Sequence, residues 1–342
     1  VLAASAHLTG RDRHLVRLVG EHRVLTTDQL AALGFGSITT ARHRLAVLVR
    51  IGLLRRFRPH PPAGSAPWHY VLGPVGAAML GVEDRDPGRW APQVRADRQL
   101  ALERSGRLGH MTGRNWFFAA LAREAREHGG ELREWLNEAG TAARDVHAAV
   151  RSDDRARLPR PDGAATWAED GQAVSFVLEF DTGTEHLGVL AGKLDGYAVL
   201  AAGLAWHEEP CPVLLFCFGS PRREQAARRA LAATREAAGL RIATAALDPR
   251  VTSPAGPAWL PLPGHPGGQV RLAGLEQALP DPWQDYRDRR ARERREAAER
   301  EQALLDADPD EDEPGTAGEA FQDGTAGQRR NRPRRSGPGS WV

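Results

Sequence analysis

Apolar positions in the first seventy residues recur at helical spacing in three runs and then alternate in two short ones. Leu15, Val16, Leu18 and Val19 mark a helix over residues 11–20, with Gly20 near its end. Thr26-Thr27-Asp28-Gln29 has capping-box spacing, in which Thr26 accepts from the Gln29 amide while the Gln29 side chain reaches back; this predicts a short helix to Leu33. Ser37 caps a third helix whose Ile38, Ala41, Leu45 and Leu48 face the core. Its opposite face carries Thr39, Thr40, His43, Val47 and Arg50, flanked by Arg42 and Arg44. Residues 53–58 and 68–72 read as two strands around a proline-rich loop, 60–67.

Residues 83–99 are polar, contain Pro87 and Pro92, and read as a linker. A second unit begins near Leu100. It holds an amphipathic helix over 113–128, a strand over 131–136, a hairpin over 160–181, a helix buried along Leu187, Leu190, Ala191, Leu194 and Ala198, and a strand over 212–218. From Trp283 to Leu305 the chain is charged and rich in helix formers, which predicts a solvated or partner-binding helix. The acidic stretch 306–313 and the Gly/Arg-rich end have too little apolar content to fold. The expected class is α+β, with boundaries at 1–82, 83–99, 100–280 and 281–342.

The hairpin carries the candidate chemistry. Asp170-Gly171 between strand-like runs is the signature of a two-residue type I′ turn. If Glu169 pairs with Gln172, the same register sets Asp162 opposite Glu179 and Arg160 opposite Asp181. Opposed Cβ atoms lie about 4.5–5.5 Å apart, and like charges at that distance need compensation. A divalent cation such as Mg²⁺ supplies it, since it takes one or two carboxylates together with waters and phosphate oxygens. The period of two puts Phe176, Leu178 and Phe180 in the core, while Val177, Glu179 and Asp181 look out to a cleft. In the next helix His186, Lys193 and Tyr197 line one edge of the buried stripe. Lys193 is the only lysine in the chain; it either reaches the carboxylates or snorkels at a core margin. His110 is read as a packing or capping residue and left out of the site.

Charge sharpens the reading of the first unit. Residues 1–72 carry ten arginines against Asp12, Glu21 and Asp28, whereas the rest of the chain is net acidic. Three helices and a two-stranded wing are the order of a winged helix, and the basic face and wing point to double-stranded DNA. The expected contacts are Thr39, Thr40, Arg42, His43, Arg44, Arg50, Arg56 and Arg58, with Arg55 beside them; the alternative is a winged helix used for protein contacts. There is no GxxxxGK[ST] sequence, which argues against an ATP-driven motor. Cys211 and Cys217 lie in an apolar run and are expected to share a strand face as small hydrophobes, not as nucleophiles or ligands. No run of ~18 apolar residues and no signal-peptide pattern is found, so the expectation is a cytoplasmic protein without a membrane partner.

Arg160-Pro161-Asp162, a hairpin, and Leu178-Glu179-Phe180-Asp181-Thr182-Gly183-Thr184 followed by Lys193 and Tyr197 resemble the PD-(D/E)xK nuclease superfamily with its αβββαβ core. With Leu108-Gly109-His110 and Asn115 added, about residues 10–275 are similar to the replication-relaxation family of actinobacterial plasmids and mobile elements. The resemblance implies a winged helix followed by a nuclease-like domain, acting in replication, DNA relaxation or mobilisation. It makes Asp162 and Glu179 ligands of Mg²⁺ and Lys193 their catalytic partner, with a homodimer or replication and mobilisation proteins as further candidate partners. The motif's lysine falls at residue 181, which is Asp; some nucleases of this fold draw the lysine from the following helix, where Lys193 stands. Two outcomes stay open: a Mg²⁺-dependent endonuclease, or a transcriptional regulator whose nuclease-like domain is inactive and binds a partner or ligand. Tyr197 as a covalent nucleophile lacks a metal-binding histidine cluster beside it.

Overall fold

Each of the first three helices begins on a hydroxyl cap. Thr9 accepts from the Asp12 amide at the start of α1 (Gly10–His22), Thr26 from the Gln29 amide at the start of α2 (Thr27–Gly34), and Ser37 from the Thr40 amide at the start of α3 (Ile38–Arg50). The reciprocal bond from Gln29 is also made, as its spacing predicts. Leu15, Val16, Val19, Leu30, Leu45 and Leu48 converge on one core. A three-stranded antiparallel sheet closes it, ordered β1 (Leu25–Thr26), β3 (His69–Leu72), β2 (Leu54–Phe57). This computed structural model describes residues 8–59, 64–86, 88–142, 158–262 and 268–306, so residues 60–63 of the proline-rich loop and the tail from 307 lie outside the described residues.

Helices α4 (Pro74–Glu83) and α5 (Ala96–Glu103) follow. Over 83–99, expected as a linker, most described side chains are exposed, but the stretch is anchored at a few points. Trp90 is 3% exposed within the first core, and its indole N–H donates to Asp84 at 2.9 Å. Gln93 and Gln99 donate to the carbonyls of Gly20 and Leu72, both at 2.9 Å. One buried indole anchors a stretch whose charges and prolines read as solvated.

The second core is built on a six-stranded sheet in the order β4 (Glu131–Asn137), β5 (Gly163–Glu169), β6 (Gln172–Asp181), β7 (Val213–Phe218), β8 (Ile242–Ala246), β9 (Leu260–Leu262). Strands β4 to β6 are antiparallel, β6 to β8 parallel, and β9 antiparallel again. The β5–β6 register runs from Glu169↔Gln172 to Gly163↔Leu178, about a turn in which Asp170 and Gly171 have φ of 50° and 77°. The Asp-Gly reading is therefore borne out. Helix α6 (Leu108–His128) covers one face, and α7 (Leu187–Trp206) with α8 (Pro221–Ala232) covers the other. Phe117, Phe118, Phe176, Leu178 and Trp259 fill the first layer; Val177, Leu194, Tyr197, Phe216 and Leu231 fill the second. Strand β7 is buried along its length, as a central parallel strand covered on both faces must be.

Cys217 lies in the first layer, whereas Cys211 precedes β7 and packs in the second, so the two do not share a strand face. Burial pushes both thiols up, Cys211 to about 12, which favours the protonated, weakly nucleophilic form. Helix α7 is long and apolar enough to cross a membrane by length and composition, contrary to the count from sequence, but its stripe is packed against the sheet. The charged helix expected in the tail runs over Gln284–Asp306. The chain is thus mixed α+β.

Candidate functional site

The site forms at the end of β6, and the alternation of that strand decides its environment. Val174, Phe176 and Leu178 turn toward α6, and Val177 turns toward α7 together with Glu179 and Asp181. The acidic face was expected to look outward. Because α7 covers it, Glu179 is only 4% exposed and Asp181 is also buried. Buried carboxylates need partners, and the covering helices provide them.

Lys193 and Tyr197 stand one turn apart on α7 and share a face. The Lys193 Nζ donates to Glu179 Oε2 at 2.8 Å, and the Tyr197 hydroxyl donates to Oε1 at 2.5 Å. Lys193 also pairs with Glu185 at 3.0 Å. Asp162 sits one residue before β5, and its amide donates to the Leu178 carbonyl at 2.8 Å. Its Oδ2 accepts from the Phe180 amide at 2.9 Å; its Oδ1 is bonded to His110 Nε2 at 2.7 Å and accepts from Arg114 at 3.5 Å.

His110 therefore belongs to the site, against the reading that set it aside. The sequence signal was the i, i+4 spacing of His110 and Arg114. A helix start placed at residue 113 instead of Leu108 hid it. Asp181 is ion-paired, but its partner is Arg223 of α8 at 2.6 Å rather than the Arg160 that the expected register set opposite it. Strand β5 begins at Gly163, so the pairing that would set Arg160 opposite Asp181 is not formed.

These contacts set the protonation of the cluster. Burial works to raise the Asp162 carboxyl, yet the hydrogen bond and charge of His110, the Phe180 amide and Arg114 hold it below the ordinary value. Burial lifts Glu179 above the ordinary glutamate value in spite of Lys193 and Tyr197, with Asp162 adding to the rise. Lys193, which burial would lower, is pushed up to about 12 by Glu179 and Glu185 and stays charged.

The cluster opens on a cleft of about 1130 Å³, where Arg23, Arg107, Arg114 and Arg160 join Asp162, Glu179 and Lys193. Among the described residues no three His, Cys, Asp or Glu side chains are grouped to hold a metal. The hard-cation ligand types present in the cluster are the carboxylates of Asp162 and Glu179. Both offer carboxylate oxygens, and Asp162 Oδ2 and both Glu179 oxygens keep a second lone pair after the bonds described. The charge compensation assigned to a cation from sequence is provided here by Lys193, Tyr197, His110 and Arg114.

The residues expected at a duplex divide into three groups. Thr39, Thr40, His43 and Arg50 are exposed on α3. Arg42, Arg56 and Arg58 line a recess of about 330 Å³ with Trp68, over whose ring the Arg56 and Arg58 guanidinium groups sit at 4.1 and 4.4 Å. Arg44 is separate: it binds the fully buried Asp12 of α1 through two bonds, at 2.9 and 2.6 Å, and acts as a bolt between helices. Arg55, placed beside them, donates to Gln99 at 3.1 Å.

Helix α6 also ties the two cores together. Gln29 of α2 donates to the Thr112 carbonyl at 2.7 Å, and Asn115 donates to that of Val24 at 2.8 Å. The replication-relaxation family model matches residues 16–213, a span that starts within α1 and contains the whole Asp162–Glu179–Lys193 cluster. The chain belongs to the replication-relaxation family, which points to a role in plasmid or mobile-element replication or relaxation. No curated protein and no solved structure matches it.

Proposed function

We propose that the protein binds the duplex DNA of its plasmid or mobile element through a winged helix made of α1 to α3 with the β2–β3 wing, and nicks it at the Asp162–Glu179–Lys193 cluster. On this reading α6, β4 to β6, α7 and β7 form a PD-(D/E)xK-like core of the αβββαβ kind. The observation that carries it is the arrival of the chain's only lysine at a Glu179 oxygen, 2.8 Å away, from the helix after the strand. That contact supplies a cation where the strand itself offers Asp181.

Asp162 and Glu179 would hold a Mg²⁺ ion, whose chemistry when bound is to activate water and offset phosphate charge. Lys193, kept protonated by its two glutamates, places a fixed positive charge beside the attacked phosphate. His110 and Arg114 fix the rotamer of Asp162 from one side, and the Phe180 amide does so from the other. On the winged helix, Thr39, Thr40, His43 and Arg50 face the major groove, and Arg42, Arg56 and Arg58 meet phosphates.

A second reading keeps the DNA binding and makes the cleft an inactive partner- or ligand-binding surface of a regulator. It draws on the protein donors that already engage all four carboxylate oxygens. The two are separated with supercoiled plasmid carrying the element's own origin, incubated with Mg²⁺ or Mn²⁺ and with EDTA. Metal-dependent nicking that is lost in Asp162→Ala and Lys193→Ala is the expected result. Plasmid that stays supercoiled while gel shifts report tight binding would leave the regulator reading standing.

A further inference from the structure

Arg23 occupies a backbone conformation that a side chain makes costly. It follows α1 with φ 72° and ψ −42°, and the Val24 amide donates to the His22 carbonyl at 2.8 Å. This is a γ-turn of the positive-φ kind, rare and strained for a residue with a Cβ. Glycine would adopt it freely. The turn is held in place from the second core: Asn115 donates to the carbonyls of Val24 and His22 at 2.8 and 3.4 Å, and the buried His22 ring stacks on Trp135 with centroids 3.7 Å apart.

Strain of this kind persists where the surroundings impose it, and an observed outlier is a reason to ask what the side chain does. Arg23 is exposed and lines the cleft of Asp162, Glu179 and Lys193. The deeper cations of that cleft are already engaged: Lys193 by Glu179 and Glu185, and Arg114 by Asp162 and Glu138. Among the described residues Arg23, Arg107 and Arg160 line the same cleft and have no carboxylate partner.

We propose that Arg23 is a substrate-binding residue, contributed by the N-terminal core to the cleft of the second, where with Arg107 and Arg160 it holds a backbone phosphate of the DNA strand presented to Asp162 and Glu179. The inference rests on the reading of this cleft as a DNA site. Its consequence is that one arginine belongs to the recognition half by sequence and to the reaction cleft by position.

The test measures binding of the full-length protein, Arg23→Gly and Arg23→Lys to a mixed-sequence duplex oligonucleotide across a salt series, with a thermal melt of each. Arg23→Gly is expected to melt no lower than the parent, because glycine relieves the turn, and to bind several-fold more weakly. Its slope of log K against log salt becomes shallower by about 0.9, the value of one phosphate contact on duplex DNA. Arg23→Lys keeps the charge and the parent slope. A glycine variant with the parent's affinity and slope overturns the proposal and leaves the DNA reading intact; a lower melting temperature with an unchanged slope assigns the turn to folding alone. If the parent shows no salt-dependent affinity for the duplex, the DNA reading fails and Arg23's role fails with it.

Discussion

Replacing Lys193 by methionine removes the cation from Glu179 while keeping most of the aliphatic stem. The Glu179 side chain is 5% exposed and that of Lys193 32%, at 2.8 Å from one another. Breaking a fully buried pair by removing one partner costs about 3–5 kcal/mol, and an exposed pair is worth at most about 1 kcal/mol. With one partner buried, the other a third exposed, and Tyr197 still donating to Oε1, the expected loss is about 2–3 kcal/mol. It also has a pH signature. Without the lysine the Glu179 carboxyl, already lifted by burial, rises further. A carboxyl whose folded value lies above its unfolded one penalises the fold above that folded value and not below the unfolded one. The deficit therefore shrinks as the medium becomes acidic. Urea denaturation of Lys193→Met, Glu179→Gln and the double variant closes a cycle that isolates the pair, and the double variant should recover most of the loss, because an amide needs no cation. A coupling below about 0.5 kcal/mol would mean that Lys193 is a solvated side chain with no hold on Glu179, and the cluster would have no cation bound to Glu179.

Two further perturbations test the framework that positions the site. Burial would raise the Asp12 carboxyl, but Arg44 and Thr9 hold it at about 2 against an ordinary 3.8, so its stabilisation is present above the ordinary value and is lost as pH falls through about 2. At about 1.4 kcal/mol per unit this is about 2–3 kcal/mol, so Asp12→Asn should melt lower near neutral pH and converge with the parent in strong acid. Gly113 of α6 faces Phe180 so closely that an added Cβ would lie 2.5 Å from the ring. Alanine is favoured over glycine in a helix by about 1 kcal/mol, but overpacking costs about 1–3 kcal/mol, so Gly113→Ala should destabilise slightly. Because His110 and Arg114 flank Gly113 on α6, the nicking proposed above should fall in this variant by more than its small loss of stability explains; proposed nicking at the parent rate would show that α6 does not position Asp162.

What was legible from sequence was local. Asp170-Gly171 fixes the hairpin register because the turn admits few pairings, but the ladder ends at Gly163↔Leu178, and the Asp162 amide bonds to the Leu178 carbonyl, so the expected Asp162–Glu179 pair is not formed although both residues lie at that end of the hairpin. The capping box at Thr26 and the buried stripe of α3 are likewise written within a few residues. What was missed depended on partners far along the chain. Arg44 looks like a groove-facing cation until Asp12, thirty-two residues earlier, is placed beside it. Asp181 finds Arg223 forty-two residues later, on a helix that the sequence pattern did not single out. His110 was lost to an error of five residues at the start of α6, since a residue outside a helix has no face to share with Arg114.

The burial of Glu179 and the displacement of the lysine are two sides of one arrangement. An in-strand lysine at residue 181 would share a face with Glu179 and lie at the strand's end. The residue there is Asp181, tied by Arg223 to α8. A cation for Glu179 must then descend from the helix that covers this face, and a helix close enough to deliver it also excludes water from the carboxylate. Lys193 meets both demands: its stem crosses the packed margin of α7 and its ammonium bridges Glu179 and Glu185 at the cleft. Asp162, served from the opposite layer by His110 and Arg114 of α6, is held below the ordinary carboxylate value while Glu179 is held above it. On the proposed reading, two carboxylates pushed in opposite directions from two faces of one sheet would take different tasks at the metal. The helix that sets the first of them also receives Gln29 of the N-terminal core through Thr112, so the geometry of Asp162 is fixed by the same element that docks the proposed recognition half.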